Sequence, residues 1–152
     1  MKNLILIGGG GHCVSCIDVI ENLNKYKISG IVDNKKNEQI NYPLIGMDED
    51  LQKIRLKFNT ALITLGHIKD PTKRINLYKK IIKLNFKLPI IISKNAYKSK
   101  KSNIGIGSII MHNVVVNAYS NIGVNCIVNT GAIIEHGSLI DDHCHISTGA
   151  II

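Results

Sequence analysis

The second half of the chain carries an aliphatic residue at every sixth position. Three places after each aliphatic position stands, in most units, glycine or asparagine, which tolerate a positive φ. The residue one place further on is small in nearly every unit. Each six-residue unit is therefore predicted to form a short strand and a tight corner, and three units close one triangular coil. The aliphatic series is Ile104, Ile110, Val116, Ile122, Val128, Ile134, Ile140, Ile146 and Ile152.

This pattern is typical of a left-handed parallel β-helix of hexapeptide repeats. A weaker form of it reaches back through Ile92 and Lys98, so we expect the β-helix to span residues 92–152. The series stops at Ile152, within a repeat, and an open coil would expose strand edges and core. We therefore expect an incomplete β-helix, truncated relative to a longer natural protein or covered by another subunit or segment.

The phase of the repeat also predicts where the polar side chains point. His136 stands two places past Ile134, at a corner, and should project outward from the coil. Asn129 and His145 flank inward positions and should face outward too. Cys126 and Cys144 occupy the small inward slot and are expected to pack in the core, whereas His143, at a corner, is expected to be solvated.

The first half alternates apolar strands with helical patterns, which predicts a small parallel, Rossmann-like α/β sheet over residues 1–91. The predicted strands are residues 2–7, 28–32 and 61–65. A helix is expected to begin after Asp70 and Pro71. Its apolar stripe should consist of Ile75, Tyr78, Ile81 and Ile82.

Residues suited to binding follow each of these strands. Because ligands bind at the carboxyl ends of parallel strands, and helix N-termini attract phosphate, we expect a binding site along this edge. Its candidates are Gly8, Gly9, Gly10, Gly11, His12, Asp33, Asn34, Gly66 and His67.

Two other interpretations of the glycine loop remain open. A dinucleotide-binding fingerprint would need glycine where Cys13 stands, so the loop supports NAD binding only weakly. Cys13 and Cys16 also form a CxxC spacing, which permits redox chemistry, although core packing is the simpler interpretation and no second pair offers zinc ligands.

Charge is unevenly distributed. All 19 Lys and Arg lie in residues 1–101 beside eight acidic residues, a net charge of +11, whereas residues 102–152 carry three acidic residues and no Lys or Arg. No nucleic-acid-binding motif accompanies the lysines, so a solvated surface or a phosphorylated small molecule explains the charge better than nucleic acid. No apolar run is long enough for a membrane span and no signal-peptide layout is present, so we expect a cytoplasmic protein without disulfides.

The chain as a whole resembles the sugar acetyltransferase family that includes bacterial sialic-acid O-acetyltransferases and UDP-4-amino-sugar N-acetyltransferases. The resemblance is carried by LIGGGGHC (6–13), IVDN (31–34), YPLIGMDEDL (42–51) and TLGH (64–67). Above all it is carried by VNTGAIIEH (128–136), with His145 nine residues beyond His136. The resemblance implies a homotrimer with active sites between neighbouring β-helices, acetyl-CoA as co-substrate, and a nucleotide sugar or sugar acid as the acceptor.

The resemblance also implies roles for single residues. His136 would be the general base, Asn129 would help hold the acceptor, and His145 would contact acetyl-CoA. No metal is implied. The substrate would be held by Gly10, Gly11, His12, Asp33, Asn34 and Gly66.

The chain departs from the family at one position. Relatives commonly carry an acidic residue directly after the catalytic histidine, where this chain has Gly137. Glu135, Asp141 or Asp142 could substitute.

The expected reaction is acetylation of the amine of a nucleotide-linked 4-amino-4,6-dideoxy sugar, with UDP as the expected nucleotide. The alternatives are O-acetylation of a sialic or related nonulosonic acid and a non-catalytic nucleotide-sugar-binding or assembly protein.

Overall fold

Four apolar segments of the first half form one parallel sheet in the computed structural model, which describes all 152 residues. The sheet order is β3-β2-β1-β4, and β1 is buried at its centre, with Leu4 to Ile7 fully shielded from solvent. Continuous apolar runs of this kind are typical of strands covered on both faces. The strands are β1 (Lys2–Ile7), β2 (Tyr26–Val32), β3 (Leu44–Gly46) and β4 (Ala61–Ile63).

Three helices accompany this sheet: α1 (Gly11–Leu23), α2 (Leu51–Arg55) and α3 (Thr72–Lys83). The start of α3 is as predicted, and the Asp70 side chain accepts a hydrogen bond from the Thr72 amide at 2.9 Å. Its predicted apolar stripe is only partly right, because α3 buries Arg74, Leu77 and Ile81 while Ile82 is 39% exposed.

The buried arginine explains that shift in the helix face. Arg74 is fully buried, and its Nη1 donates to the carbonyl oxygens of Ile63 at 3.0 Å and Leu65 at 2.7 Å. A buried guanidinium must be hydrogen-bonded, so these two bonds fix which side of α3 faces β4. The helix therefore anchors the carboxyl end of β4, where the predicted binding residues begin.

The hexad region forms the expected prism. Its strands contain two residues each and lie in three parallel sheets, ordered β5-β8-β11-β14, β6-β9-β12 and β7-β10-β13. Each strand pairs with the strand 18 residues away, as Val116 does with Ile134. The strands are β5 (Ile91–Ile92), β6 (Tyr97–Lys98), β7 (Asn103–Ile104), β8 (Ile109–Ile110), β9 (Val115–Val116), β10 (Asn121–Ile122), β11 (Ile127–Val128), β12 (Ile133–Ile134), β13 (Leu139–Ile140) and β14 (His145–Ile146).

The corners adopt the conformation that the repeat predicts. All eight predicted corner positions have a positive φ, including Tyr119 at 62° and His143 at 63°. The inward aliphatic residues from Ile110 to Ile140 are all buried, and Cys126 and Ala132 fill small inward slots without exposure, whereas Cys144, predicted to pack in the core, is only partly buried. The predicted fold class, a small parallel α/β sheet followed by a left-handed β-helix, is confirmed.

The chain divides into two units, Met1–Pro89 and Ile90–Ile152. The sequence places the boundary two residues later, between residues 91 and 92. No helix of the chain combines the length and the apolar character needed to cross a membrane.

Candidate active site

The glycine loop after β1 contains glycines with different tasks. Gly8 has φ +103°, and a Cβ there would lie 2.7 Å from the Leu65 amide nitrogen, so only glycine fits between β1 and β4. The Thr64 hydroxyl donates to the Gly8 carbonyl at 2.6 Å. Around Gly10 and Gly11, by contrast, a Cβ would meet nothing within 4 Å. Gly8 therefore shapes the loop, whereas Gly10 and Gly11 leave open space at its surface.

That open space lies at the start of α1. Gly10 is the N-cap of the helix, and no side chain caps the free amides of the first turn. Uncapped amides and the helix dipole favour an anionic group at this point. The first turn of α1 can therefore bind phosphate or carboxylate.

Asp33, directly after β2, is bonded to the loop. Its Oδ2 accepts a hydrogen bond from the Gly9 amide at 2.6 Å, and its Oδ1 accepts from the Asn34 amide at 2.6 Å. Asn37 Nδ2 donates to the Gly9 carbonyl at 2.9 Å. The Asp33 carboxylate thus fixes the glycine loop to the end of β2, and Asn37, which was not predicted as a site residue, holds the same loop.

Gly66 and His12 meet as neighbours, although 54 positions separate them. A Cβ on Gly66 would lie 3.1 Å from His12 Cβ, so the glycine allows the histidine to approach the end of β4. His12 Nε2 lies 3.3 Å from Cys16 Sγ on the next turn of α1. The structure therefore brings the predicted residues of β1, β2 and β4 to one edge.

A cavity of about 60 Å³ opens at this edge. Asp33 and Asn34 line one part of it, and Met47, Asp48 and Glu49 line another. Residues 47–49 were not predicted as site residues, although they lie within the motif YPLIGMDEDL quoted for the resemblance.

A larger cavity of about 710 Å³ lies at the amino ends of the strands and contains none of the predicted residues. The cationic residues that line it are Lys2, Arg55, Lys57 and Lys87.

The two cysteines of α1 pack in the core. Cys13 and Cys16 are both fully buried, and both are free thiols. Burial raises the pKa of Cys13 to about 11 and raises the pKa of Cys16 as well. Because the thiolate is the reactive form, neither residue is suited to redox or nucleophilic chemistry near neutral pH. The packing interpretation of the CxxC spacing is therefore favoured over the redox one.

His136 stands on the corner between β12 and β13, with a side chain that is 84% exposed. Its Nδ1 lies 3.9 Å from Glu135 Oε2, and the same carboxylate oxygen accepts a hydrogen bond from Asn117 Nδ2 at 3.2 Å. The prediction that the ring points outward is confirmed. An exposed imidazole with a carboxylate beside it is chemically able to accept a proton from a bound amine or hydroxyl.

Asn129 and His145 lie together on another part of the prism. Asn129 Nδ2 is 3.4 Å from His145 Nε2, and Asn129 Oδ1 accepts a hydrogen bond from the Thr130 amide at 2.8 Å. His145 pairs in register with Ile127, one coil below. Asn129 begins the corner before β12, whereas His136 belongs to the corner after it. Within one chain, one side of the prism therefore separates this pair from the imidazole.

Two further polar residues of the last coil, Asp142 and His143, are bonded to the coil beneath. Asp142 Oδ1 accepts a hydrogen bond from the Val124 amide at 2.8 Å. His143, predicted to be solvated, is only half-exposed, and its Nδ1 lies 3.0 Å from Nδ2 of the buried Asn125. Both side chains therefore tie successive coils together. No group of three or more His, Cys, Asp and Glu side chains is placed to hold a metal ion.

Comparisons with known proteins agree with this architecture. Residues 3–81 match the PglD N-terminal domain family. The acetyltransferase domain of PglB from Neisseria gonorrhoeae, solved in complex with acetyl coenzyme A, superposes with a TM-score of 0.90 at 30% identity, covering 99% of this chain and 72% of that one. No curated protein sequence matches significantly.

Two further solved structures share the fold. A histidine-to-asparagine mutant of perosamine N-acetyltransferase from Caulobacter crescentus, in complex with CoA and GDP-perosamine, gives a TM-score of 0.87 at 28% identity, covering 95% of this chain and 68% of that one. WeeI from Acinetobacter baumannii gives a TM-score of 0.80 at 16% identity, covering 99% and 72%, which shows likeness of fold alone. The family match over more than half of the chain and the likeness to PglB along nearly its whole length lead to one conclusion: the chain belongs to the PglD N-terminal domain family, among the hexapeptide-repeat sugar acetyltransferases.

Proposed function

We propose that this protein transfers the acetyl group of acetyl-CoA to the amine of a nucleotide-linked 4-amino-4,6-dideoxy sugar, with His136 as the general base. The observation that carries the proposal is the exposed imidazole on a β-helix corner. The proposal is also supported by a relative, 30% identical to this chain, that is solved with acetyl coenzyme A. A second relative, 28% identical, is a perosamine N-acetyltransferase solved with a nucleotide-linked sugar.

The proposed chemistry needs one well-placed base. The amine nitrogen attacks the thioester carbonyl, a C–N bond forms and the C–S bond breaks, and the departing thiolate takes up a proton. His136 would accept the proton from the amine and return it to the sulfur. Imidazole, with an ordinary pKa near 6.5, suits this transfer, and such a base contributes on the order of 10²- to 10⁴-fold to the rate.

No covalent intermediate on the protein is needed. The thiols of Cys13, Cys16 and Cys126 are buried, and burial raises the pKa of each of them. None of these thiols is therefore offered as a nucleophile. Direct transfer between the two bound substrates is the route that these residues favour.

We propose that the acetyl donor lies near His145 and that Asn129 helps hold the acceptor. One side of the prism separates this pair from His136 in a single chain, which supports a site shared between copies in a homotrimer. Such a trimer would set the His136 corner of one copy against the face of the next that carries the pair. Light scattering on the purified protein would test this, and a monomer at assay concentrations would contradict it.

The sugar nucleotide would bind at the carboxyl edge of the α/β sheet. The open space above Gly10 and Gly11 and the uncapped first turn of α1 suit a phosphate group. His12, Asn34 and Gly66 border the same edge, and Asp33 would act chiefly by holding the loop. We propose UDP as the preferred nucleotide, and GDP-linked sugars belong in the same assay because GDP-perosamine is bound to the Caulobacter crescentus enzyme.

One assay tests the reaction and its acceptor. Release of free CoA thiol from acetyl-CoA is followed with UDP- and GDP-linked 4-amino-4,6-dideoxy sugars and with free sialic acid, for the wild type and His136→Ala. We expect turnover with an amino sugar and a loss of about 10²-fold or more in the variant. Turnover of sialic acid alone would favour the O-acetylating alternative. Equal rates for the two proteins, or binding of sugar nucleotide without turnover, would favour a non-catalytic role.

A further inference from the structure

The carboxylate nearest to the His136 ring belongs to Glu135, the residue before the histidine. The family resemblance implies an acidic residue directly after the histidine, but Gly137 stands there, at φ +74°. We propose that Glu135, held by Asn117 of the coil beneath, is the positioning residue for His136; this inference rests on the proposed function.

Glu135 is the carboxylate that the geometry selects. Its Oε2 lies 3.9 Å from His136 Nδ1, and no other acidic group lies within ion-pair distance of the ring. The Asp142 carboxylate instead accepts a hydrogen bond from the Val124 amide at 2.8 Å. Asp141 lies on the next corner, beyond strand β13. Of the three carboxylates that could substitute for an acid at position 137, only Glu135 is beside the imidazole.

Asn117 keeps that carboxylate in place. Residue 117 lies one coil below residue 135, because Val116 and Ile134 pair in register and the Asn117 amide donates to the Ile134 carbonyl at 2.9 Å. Its side-chain Nδ2 then donates to Glu135 Oε2 at 3.2 Å. A glutamate on an exposed corner would otherwise sample several rotamers. The amide restrains it to the side of the corner that faces the ring.

A restrained carboxylate at this place has two effects on the base. It stabilises the imidazolium that forms as His136 takes a proton, and it draws the Nδ1 side of the ring toward itself, which leaves Nε2 to face the substrate. The coil beneath presents Asn117, Ala118 and Tyr119 at this corner, none of them charged near neutral pH. The cations at the same corner are Lys100 and Lys101, two coils below His136, and Lys101 Nζ lies 3.1 Å from the Tyr119 hydroxyl.

The test compares wild type, Glu135→Gln, Asn117→Ala and, as a matched removal of one exposed charge, Asp141→Asn. The rate of CoA release is measured from pH 5.5 to 9. At 3.9 Å in an exposed setting, we expect Glu135→Gln to lower kcat about fivefold and to leave KM within about twofold. The acid limb of its kcat/KM profile should move to lower pH, because the imidazolium loses a stabilising charge. Asn117→Ala should lower kcat and move the acid limb in the same directions, but by less. Asp141→Asn should match the wild type.

A second measurement does not depend on turnover. The His136 ring is titrated by heteronuclear NMR, with its signals assigned by their loss in His136→Ala, and its midpoint should fall in Glu135→Gln but not in Asp141→Asn. An unchanged midpoint and pH profile in Glu135→Gln would overturn the positioning role even if His136→Ala is inactive. Full activity in His136→Ala would instead defeat the proposed function.

Discussion

Replacement of Gly8 by alanine should destabilise the α/β unit far more than the same change two residues away. At Gly8 the new Cβ would lie 2.7 Å from the Leu65 amide nitrogen and 2.9 Å from its Cα, and both are backbone atoms that cannot rotate aside. The φ of +103° adds a conformational penalty of about 1–2 kcal/mol for a residue with a side chain. Forcing β1 and β4 apart adds about 1–3 kcal/mol. We therefore expect a loss of about 3 kcal/mol.

Gly10→Ala is the matched control for this change. Gly10 lies in extended backbone with φ −77°, and a Cβ there would meet nothing within 4 Å. Because Gly10 is the N-cap of α1 and alanine is a poorer N-cap than glycine, the same methyl group should lower the free energy of unfolding by up to about 1 kcal/mol. The two variants differ in steric fit and backbone conformation and not in the chemistry of the substitution.

Urea unfolding monitored by far-UV circular dichroism, with a thermal scan beside it, measures the difference. A unit of 89 residues loses roughly 4–8 °C in Tm per kcal/mol, so Gly8→Ala should melt about 12–24 °C below the wild type. Gly10→Ala should remain within about 8 °C of the wild type. If Gly8→Ala melts within 3 °C of the wild type, or if both variants lose the same stability, then the close approach of β1 and β4 does not govern this loop.

Other predictions concern buried polar groups and thiols. Arg74→Met should cost about 2–4 kcal/mol in urea unfolding, because the carbonyls of Ile63 and Leu65 lose a charged donor, and an Arg74→Met protein as stable as the wild type would contradict this. Burial raises the pKa of Cys13 and of Cys126 to about 11, whereas an unfolded thiol ionises near 8.5–9. The unfolded state therefore releases protons first, so stability should fall between about pH 9 and 11, by up to about 1.4 kcal/mol per pH unit for each thiol. Urea titrations at pH 8 and 10 measure the fall, which the Cys13→Ala/Cys126→Ala double variant should reduce.

The β-helix could be predicted in detail because its rule is local. One inward aliphatic residue and one left-handed corner per six residues decide the direction of every side chain, and this is why the exposure of His136 followed from its distance to Ile134. The packing of Asn117 against Glu135 follows from the same rule, because the two are 18 positions apart. That spacing was available in the sequence and would have identified Asn117.

The α/β unit was less predictable because its decisive contacts are not local. An aliphatic pattern in α3 favoured Ile82 as a buried residue, but a fully buried Arg74 with carbonyl partners on β4 set the helix face differently. The resemblance implies that Asp33 helps to hold the substrate, and the structure adds a contact that the sequence does not predict: its carboxylate accepts a hydrogen bond from the amide of Gly9, 24 residues earlier. Neither partner can be inferred from spacing, since each depends on how two strands align.

The coil geometry also bears on how the β-helix is assembled. Backbone hydrogen bonds join each coil to the next between residues 17 to 19 positions apart, as from the Ile127 amide to the Cys144 carbonyl at 2.9 Å, so each coil needs only its neighbour as a template. A one-residue insertion within a coil would shift every following residue out of register with the residue that it pairs with in the coil beneath. The addition or removal of 18 residues would preserve this register, so changes in length that keep the prism intact come in whole turns.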